Sequence, residues 1–109
     1  MTITKGDTHN FTVTVKDSDG VIFDLTGYAM TFTVKDDLTK TDAEADISST
    51  AIIETPESGV GSFTLTPADT TIDIKDYWYD VQISNGANAV YTVIKKQKLS
   101  ITGQVTIDK

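Results

Sequence analysis

Asp17-Ser18-Asp19-Gly20 sets two carboxylates two positions apart ahead of a glycine, which is how a calcium loop can begin. An EF-hand loop needs oxygen ligands at positions 1, 3 and 5, glycine at 6 and a bidentate glutamate at 12. Counted from Asp17, position 5 is Val21, position 6 is Ile22 and position 12 is Tyr28, so the coordination shell does not close. Asp17 and Asp19 read instead as turn residues whose carboxylates accept hydrogen bonds from nearby backbone amides.

Catalytic groupings fare no better. The only histidine, His9, stands at the expected start of a strand, and there is no cysteine to pair with it. Nothing resembles a nucleophile elbow or an H-E-x-x-H pair. Asp36-Asp37 are neighbouring carboxylates, but they lie in a polar stretch where nothing buries them to raise a pKa. Gly59-Val60-Gly61 lacks a lysine and leads into a strand rather than a helix, unlike a phosphate-binding loop. The expectation is a non-enzyme with no catalytic residue, no metal and no cofactor.

Charge narrows the partners. The 109 residues carry a net charge of −7, and every cation is a lysine. Without arginine the chain lacks the bidentate fork favoured for phosphates and base edges, which argues against nucleic acid. An acidic balance likewise argues against an anionic membrane surface. The start, MTITKGDTHN, has no apolar run of a signal peptide, and no stretch approaches the ~20 apolar residues of a membrane span.

The elements that hold these residues are strands. Phe11, Val13 and Val15 alternate with threonines, as do Tyr28, Met30, Phe32 and Val34 with Ala29, Thr31 and Thr33. Phe63 and Leu65, then Tyr77, Tyr79, Val81 and Ile83, and finally Leu99 and Ile101 repeat the period of two that puts one apolar set on one sheet face. Asp19-Gly20 predicts a hairpin between Phe11–Lys16 and Val21–Phe23, and Asn85-Gly86 a connection between Tyr77–Ser84 and Ala89–Lys95, with Ala87 and Asn88 able to lengthen its loop. Thr102-Gly103 is a candidate bend or bulge in the last strand.

Residues 36–46 hold five of the sixteen acids and read as a solvated loop; Thr41-x-x-Glu44 has a capping pattern, but no apolar run follows to make a helix. Thr66-Pro67-Ala68-Asp69 predicts one helical turn near residues 67–71, with Thr66 as cap and Pro67 at the first position. About eight short strands at this spacing predict a single all-β domain over 1–109, an antiparallel β-sandwich of immunoglobulin-like architecture, with a closed barrel as the alternative.

Tyr77-Trp78-Tyr79 separates two faces. Tyr79, Val81 and Ile83 are expected in the core, which sends Trp78 outward beside Asp80 and Gln82. An outward tryptophan has three readings: it is covered by a loop such as 36–46, it anchors a protein interface, or it forms a sugar platform. Lys95, Lys96 and Lys98 form the one basic cluster and precede the β-forming stretch Leu99–Ile107. They can steer an acidic neighbour, including the 36–46 loop of another copy, or simply keep an edge strand soluble. Trp78, Lys95, Lys96 and Lys98 are the candidate interface residues.

Four features occur in order: Ile3-x-x-Gly6-Asp7; Asp24-Leu25-Thr26-Gly27 after an Asp-Gly hairpin; Gly61-x-Phe63-x-Leu65-Thr66 before a helical turn; and Tyr77-Trp78-Tyr79-Asp80-Val81-Gln82. Together they resemble the small β-sandwich domains of tailed-phage structural proteins, especially the N-terminal domain of baseplate upper proteins. The resemblance spans nearly the whole chain. It implies a virion protein of tail or baseplate that has no catalytic residues and attaches to other virion proteins or to copies of itself. No helical stalk follows Lys109, so the expectation is an excised module or a small stand-alone virion protein. A carbohydrate-binding or adhesion module is the alternative.

Overall fold

The computed structural model describes residues 1–41, 44–86 and 90–103. Seven strands run through them: β1 (Thr2–Thr4), β2 (His9–Thr14), β3 (Tyr28–Lys35), β4 (Ile47–Thr50), β5 (Val60–Leu65), β6 (Asp76–Asn85) and β7 (Val90–Thr102). A 3-10 turn over Pro56–Ser58 and one α-helical turn, α1 (Pro67–Thr70), are the helical elements described. The chain is mostly β, as the alternation predicts.

The strands form two sheets, one of five strands in the order β1-β7-β6-β3-β4 and one of two, β2-β5. All pairs are antiparallel except β1 with β7, which run parallel with Thr2, Ile3 and Thr4 opposite Ser100, Ile101 and Thr102. The five-stranded sheet is therefore mixed, which corrects the purely antiparallel expectation. A mutual pair of backbone hydrogen bonds between Ile52 and Ser62 links the sheets, just after Ala51 N–H donates to Met30 O.

Burial follows the period of two. Met30, Phe32 and Val34 on β3, Val81 and Ile83 on β6, and Phe63 and Leu65 on β5 are buried, with Leu99 and Ile101 of β7 and Ile3 of β1 in the same core. The two sheets meet through aromatic rings. Phe11 of β2 stacks on Phe63 with centroids 5.0 Å apart and meets Phe32 of β3 edge-on at 5.1 Å. Such offset and edge-on pairs are favoured by the ring quadrupoles.

The local signals act largely as their chemistry requires. Thr66 and Asp69 form a reciprocal capping box: Asp69 N–H donates to Thr66 Oγ1 at 3.2 Å and Thr66 N–H to Asp69 Oδ2 at 2.8 Å, with Pro67 opening the turn. Buried Thr70 then ties α1 to the segment after β1 by donating to Asp7 O at 2.8 Å. At the Asp19-Gly20 turn Gly20 takes φ +82°, a left-handed conformation open to glycine at no steric cost. The turn is there, but Val21–Phe23 is not a strand; it makes a single bridge, Lys16 to Ile22.

β7 departs most from expectation. The expected pieces Ala89–Lys95 and Leu99–Ile107 are one strand over the described residues, while Ala87, Asn88, Ala89 and residues 104–107 lie outside them. From Tyr79 to Gln82 is three steps along β6, whereas their partners Gln97 and Thr92 are five steps apart along β7. Two extra residues are thus bulged out of β7 between Thr92 and Gln97, ahead of the bend expected at Thr102-Gly103, where the strand ends. Bulges of this kind break the alternation and sharpen the twist.

Candidate functional site at the Trp78 face

The outward side of β6 carries Trp78, Asp80 and Gln82, and the register places Trp78 between Lys35 of β3 and Lys98 of β7. Trp78 is 37% exposed. Lys96 Nζ lies 5.0 Å from the centre of the indole, an approach in which the ring quadrupole attracts the ammonium. Leu38, 51% exposed, borders the ring from the 36–46 loop. Trp78, Lys35, Leu38 and Lys96, with Thr33, Tyr79, Asp80 and Gln82, line a shallow open groove of about 200 Å³. The loop flanks the indole without burying it.

Of the candidate interface residues, the fold brings Trp78, Lys96 and Lys98 together. Lys98 Nζ makes an ion pair with Asp76 Oδ2 at 3.1 Å, and Ser100 Oγ donates to the other carboxylate oxygen at 2.7 Å. The Ser100 hydroxyl first and the Lys98 ammonium second hold the Asp76 carboxyl below its ordinary value. Lys95 is exposed but does not line the groove.

The loop beside the groove is fastened by charge. Asp36 Oδ2 accepts from Lys75 Nζ at 2.7 Å, and Lys40 Nζ sits 2.7 Å from Asp36 Oδ1 as an ion pair off the line of a directed hydrogen bond. Lys40 also reaches Asp46 Oδ1 at 3.3 Å, and Asp46 Oδ2 accepts from the Asp36 amide at 2.8 Å. Lys35 Nζ donates to Lys40 O at 3.0 Å. The Lys40 and then the Lys75 ammonium bring the Asp36 carboxyl down to about 2. Asp37 and Glu44 are occupied too, accepting from Thr39 and Thr41 respectively. Because these acids are paired with Lys40 and Lys75 or bonded to neighbouring residues of the loop, they make a poor counterpart for the lysines of another copy. Asp42 lies outside the described residues.

The other singled-out residues have local roles. Asp17 Oδ1 accepts from the Asp19 and Val21 amides at 2.9 and 3.0 Å, closing the turn. Asp24 does the same for Thr26, whose hydroxyl and amide lower its carboxyl pKa. Among the described residues no three His, Asp or Glu side chains group as metal ligands. The His9 ring sits 5.6 Å from Phe11. Gly59 takes φ +70°, and a Cβ there would stand 2.9 Å from Phe23 O and 3.0 Å from Val15 O, so this glycine serves a tight crossing of the backbone.

Sequence reasoning missed Lys35 and Leu38 as groove residues. Leu38 left a faint signal as the single large apolar side chain of a polar stretch. It also missed the cluster of Phe23, Tyr28 and Tyr91, whose rings lie 5.4 to 6.5 Å apart at the opposite end of β3. No helix among the described residues is long and apolar enough to cross a membrane. No protein-family model and no curated protein sequence matches the chain.

Proposed function

We propose that this chain is a non-enzymatic virion module of a tailed phage, of tail or baseplate, which acts through protein–protein contacts on its Trp78 face. The carrying observation is a tryptophan left 37% exposed on a polar sheet face, between a lysine above its ring and a leucine on a fastened loop. Tryptophan is the side chain that most often dominates interface energetics, and a rigid surround lowers the entropy lost on docking. A groove of about 200 Å³ is smaller than the usual small-molecule pocket and suits a protruding side chain of a partner. The assignment to a phage particle rests on the ordered motifs from Ile3 to Gln82. Two sheets joined by the Phe11–Phe63–Phe32 rings support the immunoglobulin-like sandwich over a closed barrel.

Mass spectrometry of purified particles tests the virion assignment; a chain absent from them is not a virion component. Crosslinking within the particle then identifies the neighbour, and Trp78→Ala should weaken its binding by about 2 kcal/mol or more. The second reading, a carbohydrate-binding or adhesion module, draws on the Thr33, Asp80 and Gln82 polar groups beside the indole. Glycan-array binding lost in Trp78→Ala, with no protein neighbour, would favour it.

A further inference from the structure

We propose that the outer edge of β7 from Val90 to Gln97 is a second docking site, which takes an extended acidic segment of a partner protein as an added strand. The proposal rests on the reading of the chain as a protein-contact module. β6 pairs with one edge of β7 along its length, but β1 covers the other edge only from Ser100 to Thr102. Met1 adds two contacts there, its amino group donating to Lys98 O and its carbonyl accepting from Ser100 N–H. Among the described residues no strand pairs the outer side of Val90–Gln97. Ahead of the bulged stretch, from Val90 to Thr92, such an edge presents backbone donors and acceptors that another strand can pair with.

The side chains give this edge a direction and a preferred partner. At one end Val90 and Tyr91 are 56% and 52% exposed, and Tyr91 stands 6.5 and 6.4 Å from the rings of Phe23 and Tyr28. At the other end Lys95 and Lys96 lie within the bulged stretch. This is the one basic cluster of a chain whose net charge is −7. A second copy paired across a two-fold axis would set bulge against bulge and bring a second lysine cluster near the first. The chain's own loop acids at Asp36, Asp37, Glu44 and Asp46 are already engaged. A partner strand with an aromatic or branched apolar residue at one end and acids at the other meets both ends at once. The lysines and the bulge, which discourage indiscriminate pairing, make charge the selecting feature.

The test uses NMR amide exchange on the full chain with two short synthetic peptides. One alternates valine and glutamate and ends in phenylalanine; the other replaces glutamate with lysine. In the free chain the outward-facing amides of Val90–Ile94 should exchange rapidly. The glutamate peptide should slow them, and its affinity should fall about three-fold in the Lys95→Glu chain and also weaken with added salt. Lys95 is exposed and does not line the Trp78 groove, so this variant should keep the parent melting temperature. Four results overturn the proposal: outward amides already protected in the free chain, equal protection by the lysine peptide, no protection at millimolar glutamate peptide, or protection that grows with protein concentration alone, which assigns the edge to a second copy. Peptide binding should survive Trp78→Ala. Failure at the β7 edge with partner binding still sensitive to Trp78 leaves the proposed function standing, whereas particles lacking the chain remove that function without touching the edge.

Discussion

Tyr77 and Trp78 are neighbours on β6, and the pleat sends them to opposite sides of the sheet. Tyr77 keeps 2% of its surface and donates its hydroxyl to Asp73 O at 2.8 Å, while Trp78 keeps 37% beneath the Lys96 ammonium and beside the margin of a loop. Direction is a matter of strand geometry alone. What differs is the company: inward, Leu99 lies opposite Tyr77 in a closed core; outward, Lys35 and Lys98 flank Trp78 on a wet face. Two large aromatics of comparable area therefore contribute to different things. The inner one is enclosed by the fold, and the outer one leaves part of its apolar surface in water.

Truncating each side chain breaks the comparison open. Tyr77→Ala should cost about 3–5 kcal/mol in urea unfolding, since it empties an enclosed site and removes the hydroxyl's bond to Asp73 O. Tyr77→Phe keeps the ring and should cost only about 1 kcal/mol. If Tyr77→Ala were as mild as Tyr77→Phe, the inner face would not be close-packed.

Tyr79 sharpens the inner boundary. It is half-buried, with its ring 5.5 Å from Phe32, so it shares the inward face as the alternation predicts but lies at the margin of the core. Tyr79→Ala should cost about 2 kcal/mol, less than Tyr77→Ala because part of the surface is already wet. A variant that melts within a degree of the parent would place Tyr79 on the outer face.

These two tyrosines also show why part of the fold was legible and part was not. Tyr77, Val81, Ile83, Met30, Phe32 and Val34 follow a period imposed residue by residue, so a window of a few positions suffices to place them. The same holds for Thr66, Pro67 and Asp69, whose capping partners lie within three residues. Thr2–Thr4 against Ser100–Thr102 carries no such signal, because the contact joins the two ends of the sequence and its parallel sense depends on where the rest of the chain has gone. The bulged stretch of β7 is silent for a different reason: Val93 and Ile94 are adjacent and both half-buried, so no alternation exists there to be read. At the site, the outward turn of Trp78 follows from its neighbours, but Leu38 reaches the groove through a loop whose shape is set by ion pairs.

That loop yields a pH test of how the outer face is held. The Asp36 carboxyl titrates at about 2 in the folded chain, against an ordinary value of 3.8. Between these values the unfolded chain binds the extra proton, so the contribution of Asp36 to stability is complete above about pH 4 and is lost as the pH falls toward 2. Asp36→Asn removes the lowered carboxyl and should flatten this part of the acid unfolding curve. An unchanged acid limb in the variant would mean that Lys40 and Lys75 do not hold the loop in solution. Because the groups are near the surface, added salt should weaken the effect.

The smallest expected effect is the most informative about function. Trp78→Ala should change the stability of the isolated chain by less than about 1 kcal/mol, because the indole is on the wet face and its clearest described partner is the Lys96 ammonium, whose attraction at an exposed site is worth about 0.5–1 kcal/mol. Indole fluorescence reads the same environment without a fold-wide perturbation. A partly exposed ring beneath a lysine should emit between the buried and fully solvated extremes, and Lys96→Gln should move its intensity while leaving Leu38 and the rest of the groove in place. An emission maximum typical of a buried indole in the isolated chain would mean that the loop closes over Trp78, and the residue would then belong to the stability of the monomer, like Tyr77, and not to a partner. An exposed-type spectrum that shifts to the blue when the crosslinked neighbour is added would assign the outer face to a partner, while Tyr77 stays with the fold.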